Sequence, residues 1–319
     1  MTSTLPAPGT LSFLIVGTSR SGTTLVQRLC AELPGVWVPA ETHYWALADR
    51  ARYRYDFPLR GTDRSAMVNW AVKELDERTL GVSSGDILRE TRSRDRRIGL
   101  FHVFESMVAA MSPPAVVLGE KTPGHIAYWE HLTQSQPHLK LVAVVRDPRA
   151  VYRSHLGVPW GDRDAHSLAE RWLLHQRSIQ DAERILGPQR CLVSRYEDIV
   201  SDTTAYQERL ATFLEVPYEP QPLTDDVVAR YPLFAERESW KAGAMGDVTT
   251  DRVATWKGEL TEEDRAVIEH TCGETMIDFG YEPSATAPAP APSEDSRLRI
   301  DAYRHWYATV AALSDLPLY

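Results

Sequence analysis

A segment near the amino terminus combines glycines, hydroxyl side chains and one arginine in an order that suits an anion site. It reads Gly17-Thr18-Ser19-Arg20-Ser21-Gly22-Thr23-Thr24 and lies between a predicted strand, Leu11–Gly17, and a predicted helix, Thr23–Leu33. The backbone N–H groups of such a turn and of the helix amino terminus can surround a phosphate-like anion. The alternative is a turn rich in serine and threonine whose only role is to cap the helix.

The two glycines have the spacing of the nucleoside-triphosphate loop, GxxxxGK[ST], but Thr23 stands where that loop has its lysine. Without the lysine, the loop is poorly suited to the β- and γ-phosphates of ATP. Arg20 and the hydroxyl groups of Ser21, Thr23 and Thr24 suit a smaller anion. An ATP-dependent small-molecule kinase and a non-catalytic nucleotide-binding protein are therefore kept as alternative functions.

A second candidate anion site follows a later strand. In Val144–Ser154 (VVRDPRAVYRS), Arg146 ends the predicted strand Leu139–Val145, and Asp147-Pro148 suits the start of a helix. Ser154 comes eight residues after Arg146, so both side chains can face one anion above the carboxyl edge of a parallel sheet. A strand end with a helix cap would give the same pattern. Together with the first loop, it predicts a nucleotide that carries two anionic groups.

These two motifs, followed by Ser194-Arg195-Tyr196-Glu197-Asp198, resemble the sulfotransferases that use 3′-phosphoadenosine 5′-phosphosulfate (PAPS). The resemblance covers about residues 11–280. It implies that Arg146 and Ser154 bind the 3′-phosphate and that Tyr196 lies near the adenine. It also implies that the 5′-phosphosulfate is bound by the first loop, through Arg20, Ser21, Gly22, Thr23 and Thr24.

The resemblance further implies that a late basic segment reaches the nucleotide. Arg252, Trp256 and Lys257 in DRVATWKG are the candidates, and Ser239-Trp240-Lys241 is an alternative of similar composition. The acceptor is expected to be a hydroxyl group of a small molecule, and the product nucleotide is adenosine 3′,5′-bisphosphate (PAP). No metal is expected, because a sulfuryl group carries less negative charge than a γ-phosphoryl group.

The candidate catalytic residues are Arg20, Lys121 and Glu41. Arg20 and Lys121 would stabilise the charge that develops on the leaving oxygen or on the transferring group. The chain has Arg20 where the cytosolic animal branch has lysine, and Pro123 follows Lys121-Thr122 where that branch has its catalytic histidine. Both features look more like the Golgi-type and bacterial branches, in which a glutamate at the position of Glu41 often serves as base. The alternative bases are His43 and His125.

Strands that alternate with helices predict an α/β fold, with a P-loop-like parallel sheet flanked by helices. The predicted strands are Leu11–Gly17, Ala115–Leu118, Leu139–Val145 and Cys191–Ser194. Residues from about 40 to 114, with predicted helices Ser65–Leu80 and Ile98–Met111, are expected to cover the sheet edge and shape an acceptor cavity. The aromatic segment His43–Phe57, with Trp160 and Trp172, is expected either to line that cavity or to belong to the core.

Three parts of the chain are predicted: a sulfotransferase domain over 1–282, a linker over 283–297 and a helix over 298–319. The linker is rich in proline and alanine, which favours an extended and mobile segment. The last helix would dock on the domain or on a second subunit of a homodimer.

Composition limits the function further. The 319 residues are 43% hydrophobic and 25% charged, which is typical of a globular protein and argues against disorder along most of the chain. The net charge of −9 argues against a nucleic-acid partner. Three dispersed cysteines form neither a disulfide framework nor a zinc pair. Since no apolar run is long enough to span a membrane and no secretory signal is recognisable, we expect a cytoplasmic, bacterial protein.

Overall fold

Five parallel strands form the centre of the protein, in the order β2-β3-β1-β4-β5. The structure is a computed structural model and describes residues 10–55, 68–69, 71–73, 81–93, 100–114, 117–230, 232–234 and 238–311. The predicted α/β fold with a parallel sheet is confirmed. The strands are β1 Leu11–Gly17, β2 Val36–Trp37, β3 Val117–Lys121, β4 Lys140–Val145 and β5 Cys191–Arg195.

Helices cover both faces of this sheet. The α-helices are α1 Thr23–Ala31, α2 Tyr44–Tyr55, α3 Ser84–Ser93, α4 Leu100–Ala110, α5 Trp129–Ser135, α6 Pro148–Leu156, α7 Ala165–Leu186, α8 Tyr196–Ser201, α9 Thr203–Leu214, α10 Asp225–Arg230, α11 Trp256–Glu259, α12 Glu262–Asp278 and α13 Glu294–Ala311. Two 3₁₀ helices span Pro123–Tyr128 and Ser239–Ala244. No helix in the described part of the chain is long and apolar enough to cross a membrane.

The apolar sequence of β1 follows from its position between two layers of helices. Leu14 and Val16 belong to the core cluster on one face, and Phe13 and Ile15 belong to the cluster on the other. A strand that is buried on both faces reads as a continuous apolar run, which is why β1 could be recognised from sequence. By contrast, β2 has only two residues, too few for a recognisable pattern, and it was not predicted.

The predicted helical elaboration differs in detail from the structure. Helix α4 lies within the predicted helix Ile98–Met111, whereas α3 was not predicted. Most of the predicted helix Ser65–Leu80 lies outside the described residues, as do the first two residues of the predicted strand Ala115–Leu118.

Helix α4 of this elaboration packs on one face of the sheet. Phe104 and Met107 of this helix share a core cluster with Leu11 and Leu14 on that face. Glu105 accepts a 2.9 Å hydrogen bond from the backbone N–H of Leu11, the first residue of β1. The apolar residues of α4 therefore contribute to the core of the protein.

The segment predicted as a free linker is bonded to the domain where it begins. The carboxylate of Glu269 accepts hydrogen bonds from the backbone N–H groups of Ser284 and Ala285, at 2.6 and 2.5 Å. Arg149 donates to Glu269 at 2.6 Å and to the carbonyl of Glu282 at 3.0 Å. Helix α13 then begins at Glu294, within the predicted linker. The buried charges of Glu269 and Arg149 are thus partly satisfied by backbone groups of residues 282–285.

We predict that Arg149→Met lowers the free energy of unfolding in urea by about 3–5 kcal/mol. Arg149 is buried, pairs with Asp147 at 2.7 Å and lies 3.9 Å from the centre of the Trp256 ring. Its removal leaves two buried carboxylates without their cation. Arg184→Met is the control, because Arg184 pairs with Asp181 on the surface and its loss should cost only about 0–1 kcal/mol. Equal losses in the two variants would contradict this account.

Candidate active site

The candidate residues meet at the carboxyl ends of the strands. A cavity of about 960 Å³ opens there, between the loop after β1 and the segments that follow β2, β3, β4 and β5. The parallel topology explains the convergence, since ligands of such sheets bind where neighbouring connections diverge. The residues singled out from sequence that line this cavity are Arg20, Gly22, Thr23, Thr24, Glu41, His43, His125, Arg146, Ser154, Trp160, Tyr196 and Arg252.

The loop after β1 has the tight backbone that its glycines predicted. Gly22 has φ of +99° and directly precedes α1. A Cβ atom at Gly22 would lie 2.3 Å from Cδ2 of Tyr196. Only glycine therefore allows the Tyr196 ring to approach the loop this closely. Arg20 also has a positive φ, of 72°, which is unusual for a residue with a side chain.

Arginines from distant segments meet beside this loop. Arg146 donates to the backbone carbonyls of Arg20 and Arg252, at 3.0 and 2.8 Å, and its guanidinium carbon lies 4.3 Å from the centre of the Tyr196 ring. Arg20 Nε donates to Ser154 Oγ at 3.0 Å. The structure thus brings together the two residues predicted for the 3′-phosphate and the arginine predicted for the 5′-phosphosulfate.

Burial removes water from this arginine group. Burial lowers the pKa of Arg20, and the neighbouring charge of Arg146 lowers it further. Burial also lowers the pKa of Arg146, whose Nε has no hydrogen-bond partner among the described residues. Buried cations and an orphaned donor are the features expected of a site built for an anion.

Glu41 lies between two lysines. Its Oε1 is hydrogen-bonded to Nζ of Lys121 and lies 2.7 Å from Nζ of Lys241, while its Oε2 lies 3.2 Å from Nε2 of His43. Burial by itself would raise the pKa of this carboxyl, but the charges of Lys121, Lys241 and His43 outweigh it and hold the pKa far below its usual range. Glu41 is therefore a carboxylate at neutral pH.

Lys121 compensates for the lysine that the first loop lacks. It ends β3, is fully buried, and its Nζ lies 3.4 Å from Oγ1 of Thr24 in the loop. Burial lowers the pKa of Lys121 to about 8, although Glu41 opposes that shift. The ammonium group of Lys121 thus reaches the loop after β1 from the neighbouring strand β3, and it contacts Thr24, the residue after Thr23.

Glu120 organises the segment that carries Glu41. Its buried carboxylate accepts hydrogen bonds from the hydroxyl groups of Thr42 and Thr122, at 2.8 and 2.6 Å, and from Nδ1 of His125 at 2.9 Å. Nε2 of His125 accepts from the backbone N–H of Trp45 at 3.4 Å. Both ring nitrogens of His125 are engaged, which disfavours it as the alternative base. His43 remains exposed and contacts Glu41 directly.

Several residues singled out from sequence do not line the cavity, namely Lys121, described above, and Ser21, Trp172, Trp256 and Lys257. Lys257 is exposed and its Nζ lies 5.8 Å from the centre of the Trp256 ring, which is itself buried beneath Arg149. Trp172 is fully buried and donates a 2.9 Å hydrogen bond to the carbonyl of Arg146, so it supports the site from within the core. Ser21 is also fully buried, and its hydroxyl has no hydrogen-bond partner among the described residues.

Sequence reasoning gave too little weight to the other late segment. Lys241 and Trp240 of the 3₁₀ helix Ser239–Ala244 line the cavity, and Lys241 pairs with both Glu41 and Glu238. The basic and aromatic composition of this segment was the available signal. Trp306 of α13 also lines the cavity, and no sequence motif pointed to it.

The sequence model of the Sulfotransferase family matches residues 12–220. The chain belongs to the sulfotransferase family. This confirms the family predicted from the three motifs. The match ends at residue 220. The later segments of this sulfotransferase-family chain, Ser239–Ala244, Arg252 and α13, therefore lie outside it.

Two curated relatives are similar to this sulfotransferase-family chain over half of its length. Protein-tyrosine sulfotransferase A of Caenorhabditis elegans is 21% identical over 164 residues, which are 50% of this chain and 43% of that protein. Omega-hydroxy-beta-dihydromenaquinone-9 sulfotransferase of Mycobacterium bovis is 24% identical over 181 residues, 53% of this chain and 42% of that protein. The chain thus matches less than half the length of these relatives.

The fold is shared with a solved structure, the sulfotransferase domain from the Synechococcus PCC 7002 olefin synthase. The TM-score is 0.50 at 16% sequence identity, and the alignment covers 94% of this chain and 98% of that domain. The likeness extends over nearly the whole chain and supports the P-loop-like arrangement of sheet and helices.

We predict that the affinity for PAP, the nucleotide implied by the motifs, falls as pH rises through about 8. The reason is that Lys121 binds an anion only while it is protonated. Isothermal titration calorimetry of the wild type should show that the affinity for PAP is roughly tenfold lower at about pH 9.5 than at about pH 7. Lys121→Arg should remove most of that loss, because the arginine keeps its charge.

Lys140→Arg is the matched control, since Lys140 pairs with Glu215 at the opposite end of β4 from the site. It should retain the pH dependence of the wild type. A wild-type affinity that does not change between the two pH values would show that Lys121 does not hold the anion.

Proposed function

We propose that this protein is a PAPS-dependent sulfotransferase that moves a sulfuryl group to a hydroxyl of a small-molecule acceptor and releases PAP. One observation carries the proposal: Glu41 lies within hydrogen-bond reach of two buried lysines at the edge of a cavity that Arg20 and Arg146 also line. Cations for a doubly anionic nucleotide and a carboxylate for a hydroxyl acceptor thus share one cavity. Membership of the sulfotransferase family supports the same reaction.

The residues of the cavity fit this nucleotide. Arg146 and Ser154 would hold the 3′-phosphate, and the ring of Tyr196 would lie against the adenine. Arg252, which also lines the cavity, would add a further cation. The 5′-phosphosulfate would be held by the loop and its neighbours, namely Arg20, Ser21, Gly22, Thr23, Thr24 and Lys121. When bound, PAPS supplies the sulfuryl group and a phosphate leaving group.

Lys121 couples the two halves of the site. It bonds Glu41 and lies near Thr24 of the loop. Lys121 would share its hydrogen bonds between Glu41 and an anion held by the loop, and would then bind Glu41 less strongly. The pKa of Glu41 then rises toward that of an ordinary carboxyl group, because part of the charge that lowered it is now shared.

Glu41 is then able to accept the proton of the acceptor hydroxyl, which makes that oxygen a better nucleophile. Lys121 and Arg20 would stabilise the negative charge that develops toward the leaving phosphate oxygen. Arg20 acts through its charge alone, since an arginine does not serve as a proton donor at neutral pH. Lys241 stays beside Glu41 and keeps the carboxylate in place.

The kinase alternative is less well supported by the cavity. A kinase site needs carboxylates that are free to hold magnesium. Of the carboxylates Glu41, Glu238 and Asp247 in the cavity wall, the first two each pair with a lysine, which leaves Asp247 as a single candidate ligand. The non-catalytic alternative does not account for a buried carboxylate beside the two lysines.

Thermal unfolding with added nucleotides tests the proposed function. A ligand present at about 100 times its dissociation constant adds roughly 2.7 kcal/mol of stability, which should raise the midpoint by about 5 °C or more. We expect this shift with PAP and a smaller shift with AMP, which lacks the 3′-phosphate. A shift with ATP and magnesium but none with PAP would overturn the proposal in favour of the kinase.

Arg146→Ala is the matched variant for this experiment. It should weaken PAP binding by roughly tenfold to a hundredfold through loss of a charge-assisted contact and leave AMP binding nearly unchanged. Equal losses for PAP and AMP would mean that Arg146 supports the loop and does not read the 3′-phosphate.

We predict that Glu41→Gln lowers turnover by about a hundredfold or more, because the amide cannot accept the proton. PAP affinity should change little. The measurement is PAPS-dependent transfer to a panel of phenols and alcohols, with PAP affinity determined in parallel.

Glu238→Gln removes the other carboxylate that pairs with Lys241 and serves as the control for the charge around that lysine. It should reduce turnover far less than Glu41→Gln. Near-normal turnover of the Glu41 variant would exclude this residue as the base and leave His43 as the alternative.

A further inference from the structure

One wall of the cavity comes from the last helix of the described chain. Trp306 of α13 lines the cavity, although α13 begins 74 residues beyond the end of the family match at residue 220. The Trp306 ring lies 6.3 Å from the ring of Tyr128, edge to face at 73°. Tyr128, which also lines the cavity, ends the 3₁₀ helix that follows Lys121 and Thr122.

The orientation of the Trp306 ring is set by a hydrogen bond. Its Nε1 donates to Oδ2 of Asp49 at 3.0 Å, and Asp49 lies on α2, eight residues after Glu41. The carboxylate of Asp49 is 5% exposed. A buried acceptor thus holds the indole from the helix that directly follows the candidate base.

Helix α13 is bound to the domain along its length. Arg304 makes two 2.7 Å hydrogen bonds to Glu170, and the hydroxyl of Tyr307 lies 2.8 Å from Ser178 Oγ. Tyr303 bonds Nε2 of His175 at 2.9 Å. These contacts hold the helix against α7 and make Trp306 a fixed part of the cavity wall.

Tyr128 and Trp306 are linked to the candidate base Glu41 through a chain of neighbouring residues. Tyr128 lies one turn after His125, and their rings are 6.4 Å apart. His125 bonds Glu120, which in turn holds Thr42 next to Glu41. Ala46 and Gly124 are further cavity residues of this neighbourhood, and both are small and uncharged. Glu41 and Trp306 thus line one cavity, so an acceptor whose hydroxyl meets Glu41 has an indole ring available as a wall for its body.

We propose that Trp306, packed against the buried ring of Tyr128, forms an acceptor-binding wall and selects hydroxyl acceptors with a planar aromatic body, such as phenols and naphthols. This inference rests on the proposed sulfuryl transfer. The half-buried indole of Trp306 offers flat apolar surface to a planar ligand, and such surface dominates the lining of small-molecule sites. Trp306 is a specificity-determining residue and takes no part in the chemical step.

The test compares Trp306→Ala with Trp306→Phe, using 2-naphthol as the probe. Equilibrium dialysis of 2-naphthol in the presence of PAP measures acceptor binding without requiring turnover, and KM for 2-naphthol with PAPS measures it during turnover. We expect Trp306→Ala to weaken both by about tenfold or more, and Trp306→Phe to have an intermediate effect because a ring remains. PAP affinity should stay within about twofold of the wild type.

Leu298→Ala is the matched control on the same helix, because Leu298 is 64% exposed and lies outside the cavity. It should leave naphthol binding and PAP binding unchanged. If Trp306→Ala also loses PAP affinity, the substitution has disturbed the fold, and Trp306→Phe then decides the question. Unchanged 2-naphthol affinity of Trp306→Phe would then overturn the inference.

Two further outcomes separate the inference from the function on which it rests. Absence of 2-naphthol binding to the PAP-bound wild type, in a protein that transfers sulfuryl groups to aliphatic alcohols, overturns the aromatic class alone. Absence of PAP binding and of PAPS turnover overturns the proposed function and the inference together.

Discussion

Repulsion between buried cations is the constraint on which the arrangement of this site depends. Arg146, Lys121 and Lys241 are buried and Arg20 is half-buried around the cavity at the carboxyl edge of the sheet. Glu41 neutralises part of that charge through its two lysines, and Glu238 also pairs with Lys241. Cations gathered in this way favour an anionic ligand, and the nucleotide of the proposed function carries two anionic groups. Burial makes each such contact stronger than it would be in water.

The surrounding structure keeps these cations in place. Trp172 bonds the carbonyl of Arg146 from the core, and the Arg146 guanidinium bonds the carbonyl of Arg20 in the loop. Glu120 fixes the segment that carries Glu41, because its carboxylate is hydrogen-bonded to both Thr42 and His125. Two buried polar networks thus hold the Arg146 side and the Glu41 side of the cavity separately. Lys121 is the group that touches both.

The functional residues of the chain are divided between the family-matched region and the segments that come after residue 220. Residues 12–220 contain the loop, Glu41, Lys121 and Arg146. Lys241 and Trp306 come from later segments that line or border the same cavity. The sheet connections and these later segments therefore both contribute to the cavity wall.

The sequence by itself determined the features that depend on neighbouring residues. The strand–loop–helix around Gly22, the spacing of Arg146 and Ser154, and the parallel sheet followed from local patterns of apolar, glycine and polar residues. Only the tertiary structure decided that Lys241, not Lys257, pairs with Glu41, and that Trp306 completes the cavity. Those contacts join residues far apart in the chain, and no local pattern encodes them. They exist because helix and sheet packing brings distant segments to one edge of the sheet, where burial favours pairing between opposite charges such as Glu41 and Lys241.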